Sequence, residues 1–154
     1  DSKFKPKIVW TDNKINIHWM TPVIKNRILY GIAGRHQQGA ETFALDLSDG
    51  EIYWKEPIMW NESVNNRKIN LGLFRGSILR LNNYFICLSE LGSLLKLNLS
   101  KGGWKIESKV QLFFSPGTWT LPALSKGLLY IVQNETDRMT GKEPRLICLD
   151  LRAQ

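Results

Sequence analysis

The side chains most able to do chemistry gather in a few short stretches. "GRHQQGAE", Gly34 to Glu41, sets Arg35, His36 and Glu41 around two glycines. An arginine there can hold an anion, and a histidine beside a carboxylate can move a proton. General acid–base work needs a nucleophile or a second carboxylate within hydrogen-bond reach, and the spacing supplies neither. The plainer structural reading is that Arg35 and Glu41 bridge a hairpin loop. His18 and His36 are the only two histidines. No third ligand stands at a metal-binding spacing from them, so no metal site is expected. Cys87 and Cys148 sit inside apolar runs, "YFICLSE" and "RLICLDL", without a C-x-x-C pair. Both are expected to be buried free thiols.

What must position these residues is a soluble chain of 154 residues, a length that fits one domain. Hydrophobic residues make up 43% and charged residues 23%, an ordinary globular composition. The net charge of +7 favours anionic partners in principle, but the basic residues are scattered and form no run or helical stripe. No nucleic-acid partner is therefore expected. No stretch approaches the roughly 20 apolar residues of a membrane-spanning helix, so no integral membrane segment is expected. No secretory leader is visible, and Asp1 opens a polar, basic segment.

The elements repeat. "ALDLSDGEIYW", "KLNLSKGGW" and "CLDLR" align on Asp46, Asn98 and Asp150, with a step of 52 residues both times. Upstream of each lies a pair of apolar runs with a short polar break: Lys25-Asn26, Asn82-Asn83 and Lys126-Gly127. Such breaks between β-rich runs read as hairpin turns. Each unit thus reads strand A, turn, strand B, loop, strand C, turn, strand D. In the first unit A covers about Met20–Ile24, B Ile28–Ile32, C Thr42–Leu47 and D Ile52–Lys55. No segment sustains a 3.6-residue period, so little helix is expected.

Four antiparallel strands recurring at this period are the sequence signature of a β-propeller blade. A lone four-stranded sheet cannot bury both faces, and stacking neighbours solves that. Trp54 and Trp104 are expected to fill the gaps between sheets. The expected fold class is all-β: a propeller segment of about three four-stranded antiparallel blades, covering 18–56, 73–108 and 118–152 of a single partial domain, 1–154. "KIVW", residues 7–10, reads as a spare D strand, and the third unit stops after its strand C. Three blades are below the usual minimum of four. The expectation is therefore part of a larger propeller or an open arc, with self-association or further blades completing it. Between the first two units, 57–73 ("PIMWNESVNNRKINLGL") reads as a long polar loop without structure of its own.

"ALDLSDGEIYW" resembles the A-x-D-x-x-x-G-x-x-x-W repeat of the pyrroloquinoline-quinone (PQQ)-like β-propeller family. "GRHQQGAE" (34–41), "LSELGSLL" (88–95) and "WTLP" (119–122) together resemble a bacterial, non-enzymatic-looking subgroup of it. Gln37 stands where that subgroup favours Glu, and "NLSKGGW" lacks the repeat's Asp. The resemblance implies a propeller and a periplasmic or otherwise extracytoplasmic bacterial setting. The wider family includes quinoprotein alcohol dehydrogenases, which use PQQ and calcium, and non-enzymatic assembly proteins. The dehydrogenases' adjacent cysteines and calcium-ligand set have no counterpart here. No cofactor is therefore predicted, and PQQ with calcium belongs only to the alternative that the chain is a fragment of such an oxidoreductase.

In a propeller the D-to-A and B-to-C loops emerge on one face, around the channel. His18, Arg35, His36, Glu41, Arg75, Glu90, Trp119 and Asn134 are the candidates for that rim. None is assigned a catalytic role. The expected function is a non-catalytic binding or assembly scaffold acting through this face on a protein, peptide or polar, sugar-like ligand.

Overall fold

The computed structural model describes residues 4–64 and 66–152. These form thirteen strands and no helix. The first sheet contains β1 (Val23–Lys25), β2 (Ile28–Ala33), β3 (Glu41–Asp46) and β4 (Ile52–Glu56) in sequential antiparallel order. A hairpin follows, β5 (Met59–Val64) and β6 (Arg67–Gly72). The second sheet is β7 (Ser77–Leu81), β8 (Tyr84–Leu88), β9 (Ser93–Ser100) and β10 (Gly103–Gln111). The third has three strands, β11 (Ala123–Ser125), β12 (Leu128–Gln133) and β13 (Arg145–Asp150).

The repeat holds at the level of single residues. The opening hairpin of each sheet turns through two residues, Asn26-Arg27, Asn82-Asn83 and Lys126-Gly127. The first residue of each turn adopts a left-handed φ, 51°, 52° and 49°, as tight β-hairpin turns demand. Register repeats as well: Tyr30 pairs with Ala44, and Tyr130 with Cys148.

The three sheets stack face to face in chain order. Tyr30, Ile32 and Ala44 of the first sheet meet Phe85, Cys87, Leu95 and Leu97 of the second in one core. The alternate residues of the second sheet, Ile86, Leu88 and Leu94, meet Leu129 and Ile131 of the third. Strand β8 is thus covered on both faces, which is why "FICL" is apolar throughout and does not alternate. Each such fully buried side chain contributes about 1.5–3 kcal/mol. Trp54 and Trp104 pack at the edge of the first core and lock its two sheets together. The Trp54 indole donates to the Ser100 carbonyl at 2.9 Å, and the Trp104 indole to Glu56 Oε1 at 2.8 Å. At the edge formed by β1 and β7, Arg80 donates to the Ile24 carbonyl (2.8 Å) and Lys25 to that of Asn83 (2.6 Å). The back of the first sheet, with Phe43 and Leu45, is covered by Trp10, Ile15 and Ile17.

Four expectations need correction. Residues 57–73 are not a structureless loop. They hold the β5–β6 hairpin, whose Trp60 and Leu71 pair across the strands and enter the first core. Its exposed positions are Asn, Ser, Lys and Arg, and that polarity hid the alternation. Residues 7–10 form no strand, since no neighbouring edge pairs with them among the described residues. Strand C of the first unit ends at Asp46, and Leu47 is exposed. Cys148 is exposed, while Cys87 is buried as expected. The difference arises because the outer face of the third sheet has no neighbour among the described residues. The stack is open at that end.

Candidate functional site

Seven residues ahead of each first turn residue stand Trp19, Arg75 and Trp119, the same position in the three units. Structural equivalence brings them to one end of the stack, away from the turns at Asn26, Asn82 and Lys126. There the indoles of Trp19 and Trp119 stack, with centroids 4.9 Å apart and planes inclined by 14°. The Arg75 guanidinium lies 5.0 Å from the Trp119 ring centroid, a cation–π distance.

Glu90 holds this group in place. It follows β8 in a tight turn and is only 2% exposed. Its amide donates to the Leu73 carbonyl (3.3 Å), and its own carbonyl accepts from the Thr118 amide (3.2 Å). The carboxylate faces the Arg75 fork. Arg75 Nε donates to Oε2 at 3.1 Å, and Nη2 pairs with Oε1. The Trp119 indole donates to Oε1 at 3.2 Å. The remaining Arg75 nitrogen, Nη1, donates to the Arg35 carbonyl at 3.3 Å. One buried carboxylate therefore fixes an arginine and a tryptophan from the loops that lead into β7 and β11, and the arginine ties in the β2–β3 loop. A bidentate arginine–carboxylate pair of this burial is strongly directional.

The predicted residues separate into two groups. Arg35, Arg75, Glu90 and Trp119 are directly linked, and His18 adjoins Trp19 with ring centroids 6.2 Å apart. Asn134 lies at the margin: its amide donates to the Gly117 carbonyl (2.6 Å), two residues before Trp119. Glu41 does not join them. It pairs with Lys55 across the β3–β4 ladder at 3.1 Å, so the expected Arg35–Glu41 bridge gives way to a cross-strand one. His36 is exposed at the tip of the β2–β3 loop. Glu90, read from sequence as a turn residue, is also the carboxylate that holds Arg75. Trp19 was missed as a candidate, though its signal was in the sequence: it stands 100 residues before Trp119, as Pro22 does before Pro122.

The surface is shallow. The recess beside His18, Trp19, Arg75 and Gly34 has about 10 Å³, room for about one water. Trp19 and Trp119 are 46% and 37% exposed, so the stacked pair is presented to the outside. No group of three His, Cys, Asp or Glu is placed to hold a metal ion among the described residues. Cys87 and Cys148 belong to different sheets. No helix of the described residues is long and apolar enough to cross a membrane. No protein-family model matches the chain, and no curated protein matches it either.

Proposed function

We propose that the chain is a β-propeller segment of the PQQ-like type, acting as a non-catalytic binding and assembly scaffold. Its contact surface is the end of the stack that carries Trp19, Arg75 and Trp119. One observation carries this reading: equivalent positions of three repeated units meet on an exposed surface that a buried carboxylate holds rigid. In a propeller those positions lie at the channel rim. The face-to-face stacking in chain order, with the first strands β1 and β7 tied together, supports that reading.

The shape selects the partner class. Small-molecule sites are usually enclosed clefts of about 300–1,000 Å³, and the recess beside Trp19 and Arg75 has about 10 Å³. An open aromatic and arginine surface matches the residue types that dominate protein contacts. A protein or peptide partner is favoured over an enclosed substrate. The bacterial, extracytoplasmic setting belongs to the same proposal and rests on the resemblance alone.

Peptide and glycan arrays probed with the whole chain and with Trp19→Ala and Trp119→Ala variants test the reading. Peptide binding that falls in both variants is expected. Glycan binding with the same dependence would reassign the partner class. Tight PQQ–calcium binding with dye-linked alcohol oxidation, or array binding indifferent to both variants, would overturn the proposal.

A further inference from the structure

The β5–β6 hairpin carries one of its faces beyond the core. Side chains alternate along a strand, so the cross-strand pairs Trp60–Leu71, Glu62–Ile69 and Val64–Arg67 share a face. Trp60 and Leu71 are buried in the first core, and Ile69 packs at its margin. Glu62 is held by an ion pair to Lys109 of β10. Val64 and Arg67 lie further out, toward the hairpin tip. Across from them stand Phe114, just past β10, and Met139, in the loop between β12 and β13. Val64, Arg67, Ile69, Phe114 and Met139 line a groove of about 470 Å³. Arg67 and Met139 are exposed, so the groove is open. It suits a side chain carried on another molecule better than an enclosed ligand.

The far wall is braced from within. The buried Asp137 carboxylate accepts from the Phe114 amide (3.1 Å), the Met139 amide (2.9 Å) and the Thr140 hydroxyl (2.6 Å). The Arg138 amide donates to the Phe114 carbonyl at 2.9 Å. These bonds hold Met139 beside Phe114, and a methionine adapts readily to the shape of an incoming apolar group. The surround is cationic. Arg67 lines the groove and Arg138 precedes Met139. Both are exposed, and neither forms an ion pair among the described residues. The neighbouring carboxylates are engaged elsewhere. Lys109 holds Glu62, and Asp137 serves its three donors. Glu143 accepts from the Thr136 hydroxyl at 3.3 Å, and Glu135 lies against Gly117. The chain's own exposed apolar segment, Phe4 to Val9, carries Lys5 and Lys7. It would meet both arginines with like charge, which disfavours a second copy as the occupant.

We propose that this groove docks an acidic peptide segment of a partner protein through one apolar anchor. Val64, Ile69, Phe114 and Met139 surround the anchor, and Arg67 and Arg138 meet the carboxylates on either side of it. The apolar contact supplies affinity, and the two arginines select the sign of the partner's charge. The hairpin that forms one wall is the segment inserted between the first and second sheets, so the groove is an addition to the repeat. It stands apart from the tryptophan–arginine surface and does not depend on that surface having a ligand.

Fluorescence anisotropy of the full chain with three labelled hexapeptides tests it: Glu-Asp-Leu-Phe-Asp-Glu, its Ser-Ser counterpart without the apolar pair, and Lys-Arg-Leu-Phe-Lys-Arg. The first should bind, and the other two should bind at least about tenfold more weakly. Met139 and Arg67 are exposed, so Met139→Asp and Arg67→Glu should leave the fold intact. Each should weaken the first peptide about ten- to hundredfold, the effect of losing a buried apolar contact or reversing a paired charge. Trp119→Ala should leave that binding unchanged, which separates this groove from the tryptophan–arginine surface. No binding of the first peptide at millimolar concentration would overturn the proposal. Equal binding of the Ser-Ser or basic peptide, or indifference to Met139→Asp and Arg67→Glu, would do the same. So would binding lost only in Trp119→Ala, which would move the peptide to the other surface. Self-association that Met139→Asp abolishes would make a second copy the occupant and overturn it too.

Discussion

Trp119 and Glu90, 29 residues apart in the chain, meet through an indole N–H that donates to a carboxylate only 2% exposed. The same carboxylate holds both Nε and Nη2 of Arg75. Removing one partner of a buried pair strands the other, at a cost of about 3–5 kcal/mol. Arg75→Met is expected toward the lower end of that range, because Arg75 retains some solvent contact and Glu90 keeps the Trp119 donor. Glu90→Gln, which retains an acceptor for the indole, should cost less. Urea unfolding of the two variants checks the order, and equal losses would contradict it.

The Trp19–Trp119 stack couples the first and third units directly. A double-mutant cycle with Trp19→Ala and Trp119→Ala should give a coupling of about 0.5–1.5 kcal/mol. Additive effects would mean the rings are neighbours without an energetic link.

Asp46 should make the first sheet acid-sensitive. Hydrogen bonds from the Ser48 hydroxyl, the Tyr53 hydroxyl and the Ser48 amide hold its carboxyl down at about 2. A carboxyl depressed in the folded state stabilises fully above its unfolded value, near 3.8, and loses that contribution as pH falls through about 2. The stability advantage over Asp46→Asn should thus be constant above pH 4 and shrink toward pH 2. The bond to Asp46 also pushes Tyr53 up to about 12 from 10.0. The contribution of the tyrosine proton is present below pH 10 and fades as pH rises toward 12, a loss that Tyr53→Phe should not show. Thermal unfolding across pH measures both limbs.

Ser77, buried in β7, has a hydroxyl with no hydrogen-bond partner among the described residues. An unsatisfied buried polar group costs about 1–3 kcal/mol. Ser77→Ala should be neutral to about 1 kcal/mol stabilising, read from the urea midpoint. A clear loss would point to a buried water on that hydroxyl.

The sequence made the repeat legible because its markers are local. Asn26, Asn82 and Lys126 begin tight turns, and the Asp46, Asn98 and Asp150 step marks the equivalent third strands, ending β3 and β13 while β9 runs on to Ser100. Most of the strands followed from these anchors. What stayed hidden depends on partners distant in sequence. Trp60 and Leu71 are strand residues because they face each other across a polar hairpin, and no run of apolar residues announces that. Cys148 looks like Cys87 in its local sequence, and only the covering sheet distinguishes them. The segments carrying Arg35, Arg75 and Trp119 were legible as loops. Glu90 as their pin was not, because a carboxylate's worth depends on the arginine opposite. Arg75 shares its position with Trp19 and Trp119 but differs from them in residue type, so an alignment by identity passes over the arginine.

The two cysteines turn the open stack into a pair of chemical clocks. Cys87 lies in the sheet that is covered on both sides, and burial pushes its thiol up, away from the reactive thiolate. Cys148 stands on the uncovered sheet. An alkylating reagent applied to the native chain should add one mass tag at once. The second tag should arrive at the rate at which the middle sheet parts from its neighbours, so the lag between them times that separation without a probe having to be built in.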